Sequence, residues 1–157
     1  MKAGALTRRA WLQTGAGGAV LLALGGCAGG SNHRELLRAI AREMLAGALP
    51  DTPEALESAV HGVEVAIAGL PPAVQGEIEQ LFGLLEFPLT RRVLAGIGPW
   101  RHASDSDIAR FLQRWRVSNA SLLRSGYAAL HQLIMAGWYG NEEAWPRMHY
   151  PGPPHIA

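Results

Sequence analysis

Apolar residues return every three or four positions through most of this 157-residue chain, the spacing of one face of an α-helix. The first such stripe is Leu36, Leu37, Ile40, Met44 and Leu45. Asn32 precedes it as a candidate cap, and Glu35 completes a capping-box spacing. Pro50-Asp51-Thr52-Pro53 ends this helix and opens the next, with Thr52 as cap and Pro53 in the first helical position. The second stripe, Leu56, Val60, Val63 and Ile67, ends near Gly69. After the turn Leu70-Pro71-Pro72, the third runs through Val74, Ile78, Leu81, Phe82 and Leu85 until Phe87-Pro88 breaks it.

The second half of the chain repeats this grammar. Leu89 to Ile97 predicts a shorter helix, closed by Gly98-Pro99-Trp100. Ser104 and Asp107 form another capping-box spacing before Ile108, Phe111, Leu112 and Trp115. A long last helix is expected from about Asn119 to Gly137, with Leu122, Leu123, Tyr127, Leu130, Leu133 and Ile134 inward. No segment alternates with period two and no Asn-Gly turn joins apolar strands. The expected fold is all-α: a bundle of five or six helices over residues 28–157, followed by an extended tail at 141–157. Gly98 to Ala103 reads as a loop between two halves, but the length argues for one domain.

Charge narrows the partners. Removing Lys2, Arg8 and Arg9 from the 14 basic residues leaves 11 against 13 acidic, a net charge of −2 for the rest of the chain. Nucleic acid is not expected as a partner, because phosphate contacts need a basic face. Beyond Lys2 every permanent positive charge is Arg, a bias that a GC-rich genome produces without any function. Arg34, Arg38 and Arg42 line one helix face, which reads as solvated surface.

Catalytic motifs are not legible. The histidines, His33, His61, His102, His131, His149 and His155, include no His-x-x-x-His pair and no His-Glu-x-x-His. The chain has no Gly-x-Gly-x-x-Gly after a strand, no Cys-x-x-Cys-His and no Gly-x-Ser-x-Gly. Glu142-Glu143 reads as a first helical turn or solvated surface, and Asn119-Ala120-Ser121 as a helix start. No catalytic, cofactor-binding or metal-binding residue is therefore assigned, although a scattered histidine trio meeting in space would be an alternative.

Residues 1–27 have a different character. A basic stretch with Thr7-Arg8-Arg9-Ala10-Trp11-Leu12-Gln13 precedes the small and apolar run from Gly15 to Gly26, and then Cys27. This resembles a bacterial twin-arginine signal, with Trp11 and Leu12 at the aromatic and leucine positions and Leu24-Gly25-Gly26-Cys27 as a lipoprotein box. The run is too short and too weakly apolar to span a membrane. Cys27 is the sole cysteine, so no intramolecular disulfide forms. Lipidation at Cys27 would anchor the protein to the periplasmic side of the envelope; cleavage after Ala28 would remove this cysteine instead.

The last helix and tail are unusually aromatic: Ala136-Gly137-Trp138-Tyr139-Gly140, then Ala144-Trp145-Pro146, then Tyr150-Pro151-Gly152-Pro153-Pro154. Stiff aromatic segments lose little entropy on docking and suit an interface, or they fold back over their own bundle. With the signal, the stretch from Asp107 to Pro154 resembles the small twin-arginine-exported subunits of periplasmic sorbitol, fructose and glucose dehydrogenases. Their large subunit is a glucose–methanol–choline family flavoprotein. The resemblance implies a non-catalytic subunit that binds a folded, FAD-loaded large subunit and carries it through the twin-arginine translocase. The chain itself would bind no cofactor. The expected partner contacts are Trp138, Tyr139, Trp145 and Tyr150, with Trp115 next.

Overall fold

The computed structural model describes residues 33–152. Arg8, Arg9, Trp11, Leu12, Cys27 and the Asn32 cap, with Pro153 and Pro154, lie outside the described residues. Six α-helices follow in order: α1 (Arg34–Met44), α2 (Pro53–Ala68), α3 (Pro72–Glu86), α4 (Pro88–Leu94), α5 (Asp105–Arg116) and α6 (Ser121–Tyr139). Short 3-10 helices span Trp100–His102 and Glu142–Met148. No strand occurs among the described residues, and none of their helices is long and apolar enough to cross a membrane.

Local chemistry sets most helix ends. The Thr52 side chain accepts from the Ala55 amide at 3.3 Å, with Pro53 in the first turn of α2. Ser104 accepts from the Asp107 amide at 3.2 Å and starts α5, where Asp105 and Asp107 face the positive end of the helix dipole. Proline opens α3 and α4, where its missing N–H leaves nothing unsatisfied. Gly96, at φ +71°, turns the chain after α4, a conformation that a Cβ disfavours.

Four helices close a ring: α1 packs on α2, α2 on α6, α6 on α5 and α5 back on α1. The two halves of the sequence therefore interleave in one bundle, and the α2–α6 contact is the most extensive. It is close because Gly62 of α2 faces Gly137 of α6. A Cβ on Gly137 would lie 2.5 Å from the Val63 nitrogen and 2.9 Å from the Gly62 carbonyl carbon. Leu36, Ile40, Val60, Val63, Phe111 and Ile134 fill the centre of the bundle. Trp100, Phe111 and Trp115 stack edge to face at 6.0 and 4.9 Å.

The α3–α4 pair lies outside this ring. Its most extensive helix–helix approach is within the pair, between α3 and α4. Ile78, Phe82 and Leu85 of α3 insert side chains into the core, whereas α4 buries none. The indole of Trp100, donating to the Leu85 carbonyl at 3.1 Å, ties the arm to the bundle. Within the segment read as a loop, Gly98 to Ala103, Trp100 alone is buried and acts as the pin.

The C-terminal tail differs from the expected extended form. Residues Glu142–Met148 make a 3-10 helix that contains Pro146. Asn141 provides the reason: its side-chain oxygen accepts from the Glu143 amide at 3.1 Å, and its amide nitrogen donates to Ser58 of α2 at 2.6 Å. A cap and an anchor on the bundle outweigh the proline, which in a short 3-10 helix breaks little. Helix stops at His149, a left-handed residue at φ +54°.

Candidate functional site

An open apolar groove of about 540 Å³ lies between the α3–α4 arm and α6. Ile78, Leu81 and Leu84 of α3 form one wall, and Leu123, Ala129 and Leu133 of α6 the other. Leu94 and Trp115 close it from the ends of α4 and α5. The groove exists because α3 reaches the core only through side chains, leaving a gap that the chain's own residues do not fill. Gly126 lets the Trp115 ring lie close against α6, since a Cβ there would run into that ring at 2.6 Å.

Exposed aliphatic residues occur in the groove and elsewhere on α4 and after α5. Leu122, in the first turn of α6, is 79% exposed and lines the groove. Val93, beside Leu94, is 73% exposed; Leu89, one turn earlier on α4, and Val117, just past Trp115, are also exposed. Isolated exposed aliphatics mean little, but Val74, Leu84 and Leu122 are exposed together on the lining of an apolar groove, which marks a binding surface.

The polar clusters lie elsewhere. Arg34 donates to Glu64 and Glu57, both at 2.7 Å, and Arg38 also pairs with Glu57, so these two arginines of the α1 stripe clamp α2, while Arg42 stays exposed near Asp105. Hydrogen bonds from Arg38, then Arg34, lower the Glu57 pKa to about 2. His33 contacts two carboxylates, Nε2 to Glu79 and Nδ1 to Glu86, each at 2.9 Å, with its ring 4.9 Å from Phe82. Burial opposes the charge on this ring, but the two carboxylates outweigh it and raise the pKa above the ordinary value. The contacts are a structural clamp from the start of α1 to α3. No group of three or more His, Cys, Asp or Glu placed to hold a metal occurs among the described residues.

The structure divides the expected contact residues. Trp138 is 1% exposed and Trp115 is 2% exposed. Both pack into the chain's own core, and Trp115 also closes one end of the groove. Trp138 is drawn inward by the close Gly62–Gly137 crossing one residue before it. The Trp115 indole spends its N–H on the Leu94 carbonyl at 3.0 Å. Tyr139 and Tyr150 remain 38% and 46% exposed. Trp145 is half-buried; it donates to the Tyr139 carbonyl at 3.3 Å and meets the Tyr150 ring edge to face at 5.5 Å. The tail thus folds back on its own bundle, with Ala144 buried beneath it.

The groove was not singled out by helical periodicity. Val74 and Leu122 lie on the stripes expected to be core, and only the third dimension shows that no helix covers them. One sequence signal does coincide with it: the acid-free stretch from Ile108 to Asn141.

The described chain is thus an all-α bundle with an open apolar groove. In comparisons with known proteins, no family model, curated protein or solved structure matches it.

Proposed function

We propose that this protein is a non-catalytic export and assembly subunit: it binds a folded flavoprotein dehydrogenase of the glucose–methanol–choline type and carries it across the inner membrane. The observation that carries the binding role is the apolar groove with exposed aliphatic residues on its lining. Such a surface gains free energy from being covered, at roughly 25 cal/mol per Å² of apolar area. Its lining is mostly aliphatic, with Glu77, Gln80, Ser125 and Gln132 among the side chains that border it. The Arg8-Arg9 segment supports export, and folded cargo is what the twin-arginine route carries. The aromatic motif from Ala136 to Pro154 supports the dehydrogenase class. FAD would be held by the large subunit, and Cys27 would attach the complex to the periplasmic face of the membrane.

The test is affinity capture from envelope fractions of the native host, with the tag between Ser31 and Asn32. A copurifying yellow flavoprotein is expected; a colourless preparation of this chain alone would overturn the reading. A second reading, a free-standing envelope lipoprotein that binds a small apolar ligand, has one observation in its favour. The groove volume of about 540 Å³ falls within the range of ligand pockets. A colourless, monomeric preparation carrying an extractable apolar compound would establish it.

A further inference from the structure

The attachment of the α3–α4 arm to the bundle has an ionisable part. Ile78, Phe82 and Leu85 reach the core, and the Trp100 indole holds the Leu85 carbonyl near the C-terminal end of α3. A further tie is His33, just ahead of α1. Both of its ring nitrogens face carboxylates of α3: Nε2 lies 2.9 Å from Glu79 and Nδ1 lies 2.9 Å from Glu86. A neutral imidazole has one N–H and one lone pair, so it can donate to only one of them. With both contacts made, the ring carries a proton on each nitrogen. Loss of one proton sets a nitrogen lone pair against a carboxylate oxygen, and that contact turns repulsive. Glu79 gives way first, because its side chain is 58% exposed and that of Glu86 only 23%.

We infer that His33 is a proton-operated latch: the doubly protonated ring holds α3, and with it one wall of the groove, against the bundle, and the neutral ring releases it. Ile78, Leu81 and Leu84 of that wall ride on the same helix as the two carboxylates, and Glu79 directly follows Ile78. On the neighbouring helices, Glu57 and Glu64 of α2 are held by Arg34 and Arg38, with His61 3.7 Å from Glu64. Arg91 of α4 donates to the Glu86 backbone carbonyl. Glu79 and Glu86 therefore set the charge that the ring meets. Burial works against the charged ring, but the two carboxylates outweigh it and the pKa is raised. The latch is thus fully closed below the ordinary histidine value of about 6.5 and loosens as pH rises through the folded value. This device does not depend on what occupies the groove.

Amide hydrogen exchange of the purified full chain, measured on both sides of the His33 titration and corrected for the intrinsic pH dependence of exchange, tests the latch. The imidazole NMR signal gives the titration midpoint in the same sample. Amides of α3 should exchange faster than those of α2 and α6 at every pH, the mark of an arm that opens without unfolding of the bundle. Their protection should fall about tenfold for each pH unit by which the measured midpoint exceeds the ordinary histidine value. His33→Gln should abolish that fall. Glu79→Gln is the sharper variant, and the exposure of Glu79 lets it fold. A neutral ring can then donate to Glu86 and accept an N–H from the new amide. Above the titration, α3 of this variant should therefore be better protected than in the parent, a gain that a simple ion pair does not predict. Amides of α3 that exchange no faster than those of α6 overturn the latch. So does α3 protection that ignores pH, or a Glu79→Gln variant no better protected than the parent above the titration.

Discussion

Gly137→Ala tests the central contact of the bundle. In an exposed helix this change is favourable, since alanine gains up to about 1 kcal/mol in helix propensity over glycine. Here the new methyl would lie 2.5 Å from the Val63 nitrogen, 2.6 Å from its Cγ2 and 2.9 Å from the Gly62 carbonyl carbon. Two of those atoms are backbone of the facing helix and cannot rotate away. Carbon–carbon contact wants about 3.5 Å or more, so α2 and α6 must separate along their whole crossing. Overpacking of this kind costs about 1–3 kcal/mol, with the upper end appropriate where backbone blocks backbone. Net of propensity, the loss should be about 2 kcal/mol, a fall of roughly 8 °C in melting temperature for a domain of this size. Gly76→Ala and Gly83→Ala in α3 are the controls, because a Cβ at either position meets no atom within 4 Å. They should raise the melting temperature by roughly 2–4 °C. Circular dichroism melts of the three variants decide it. A Gly137→Ala variant that melts at or above the parent temperature would refute the close crossing.

Other substitutions probe the clamps. The His33 pKa is raised in the folded state, so its stabilisation is complete below the ordinary histidine value of about 6.5 and fades as pH rises through the folded value. The melting temperature should therefore fall as pH rises above the ordinary histidine value, and by less in His33→Gln. Glu57 has the opposite sign: its pKa is lowered to about 2, so its contribution is present above the ordinary carboxylate value and is lost as pH falls toward 2. A carboxyl NMR titration should show the Glu57 transition move up in Arg38→Ala. Trp100→Phe removes the donor to the Leu85 carbonyl and should destabilise by about 1–2 kcal/mol in urea unfolding, because it loosens the α3–α4 arm.

The number and type of helices follow from local patterns. Thr52-Pro53, Ser104 with Asp107, and the Pro-led starts of α3 and α4 act within a few residues, and a reader of the sequence has all the atoms involved. The same holds for the buried positions Ile108, Phe111, Leu112 and Trp115, since one amphipathic face has one inside. Aromatic residues near the C-terminus could be recognised as unusual, but whether each turned inward or outward depended on a crossing between glycines 75 positions apart in sequence, Gly62 and Gly137. That crossing buries Trp138 and leaves Tyr139, its immediate neighbour, half open. Likewise the proline-containing tail became helical through Asn141 reaching back to Ser58.

The sequence by itself determined an all-α chain, its caps, the absence of familiar catalytic motifs, and an N-terminal segment that resembles an export signal. It also fixed the acid-free stretch that now borders the groove. Only the tertiary structure decided which apolar residues are core and which are surface. Periodicity reports that a helix has an apolar face; it carries no record of whether another helix arrives to cover it. Side-chain contacts hold α3 to the core without close backbone packing, and the space this leaves against α6 turned predicted core positions such as Leu122 and Val74 into the lining of a groove.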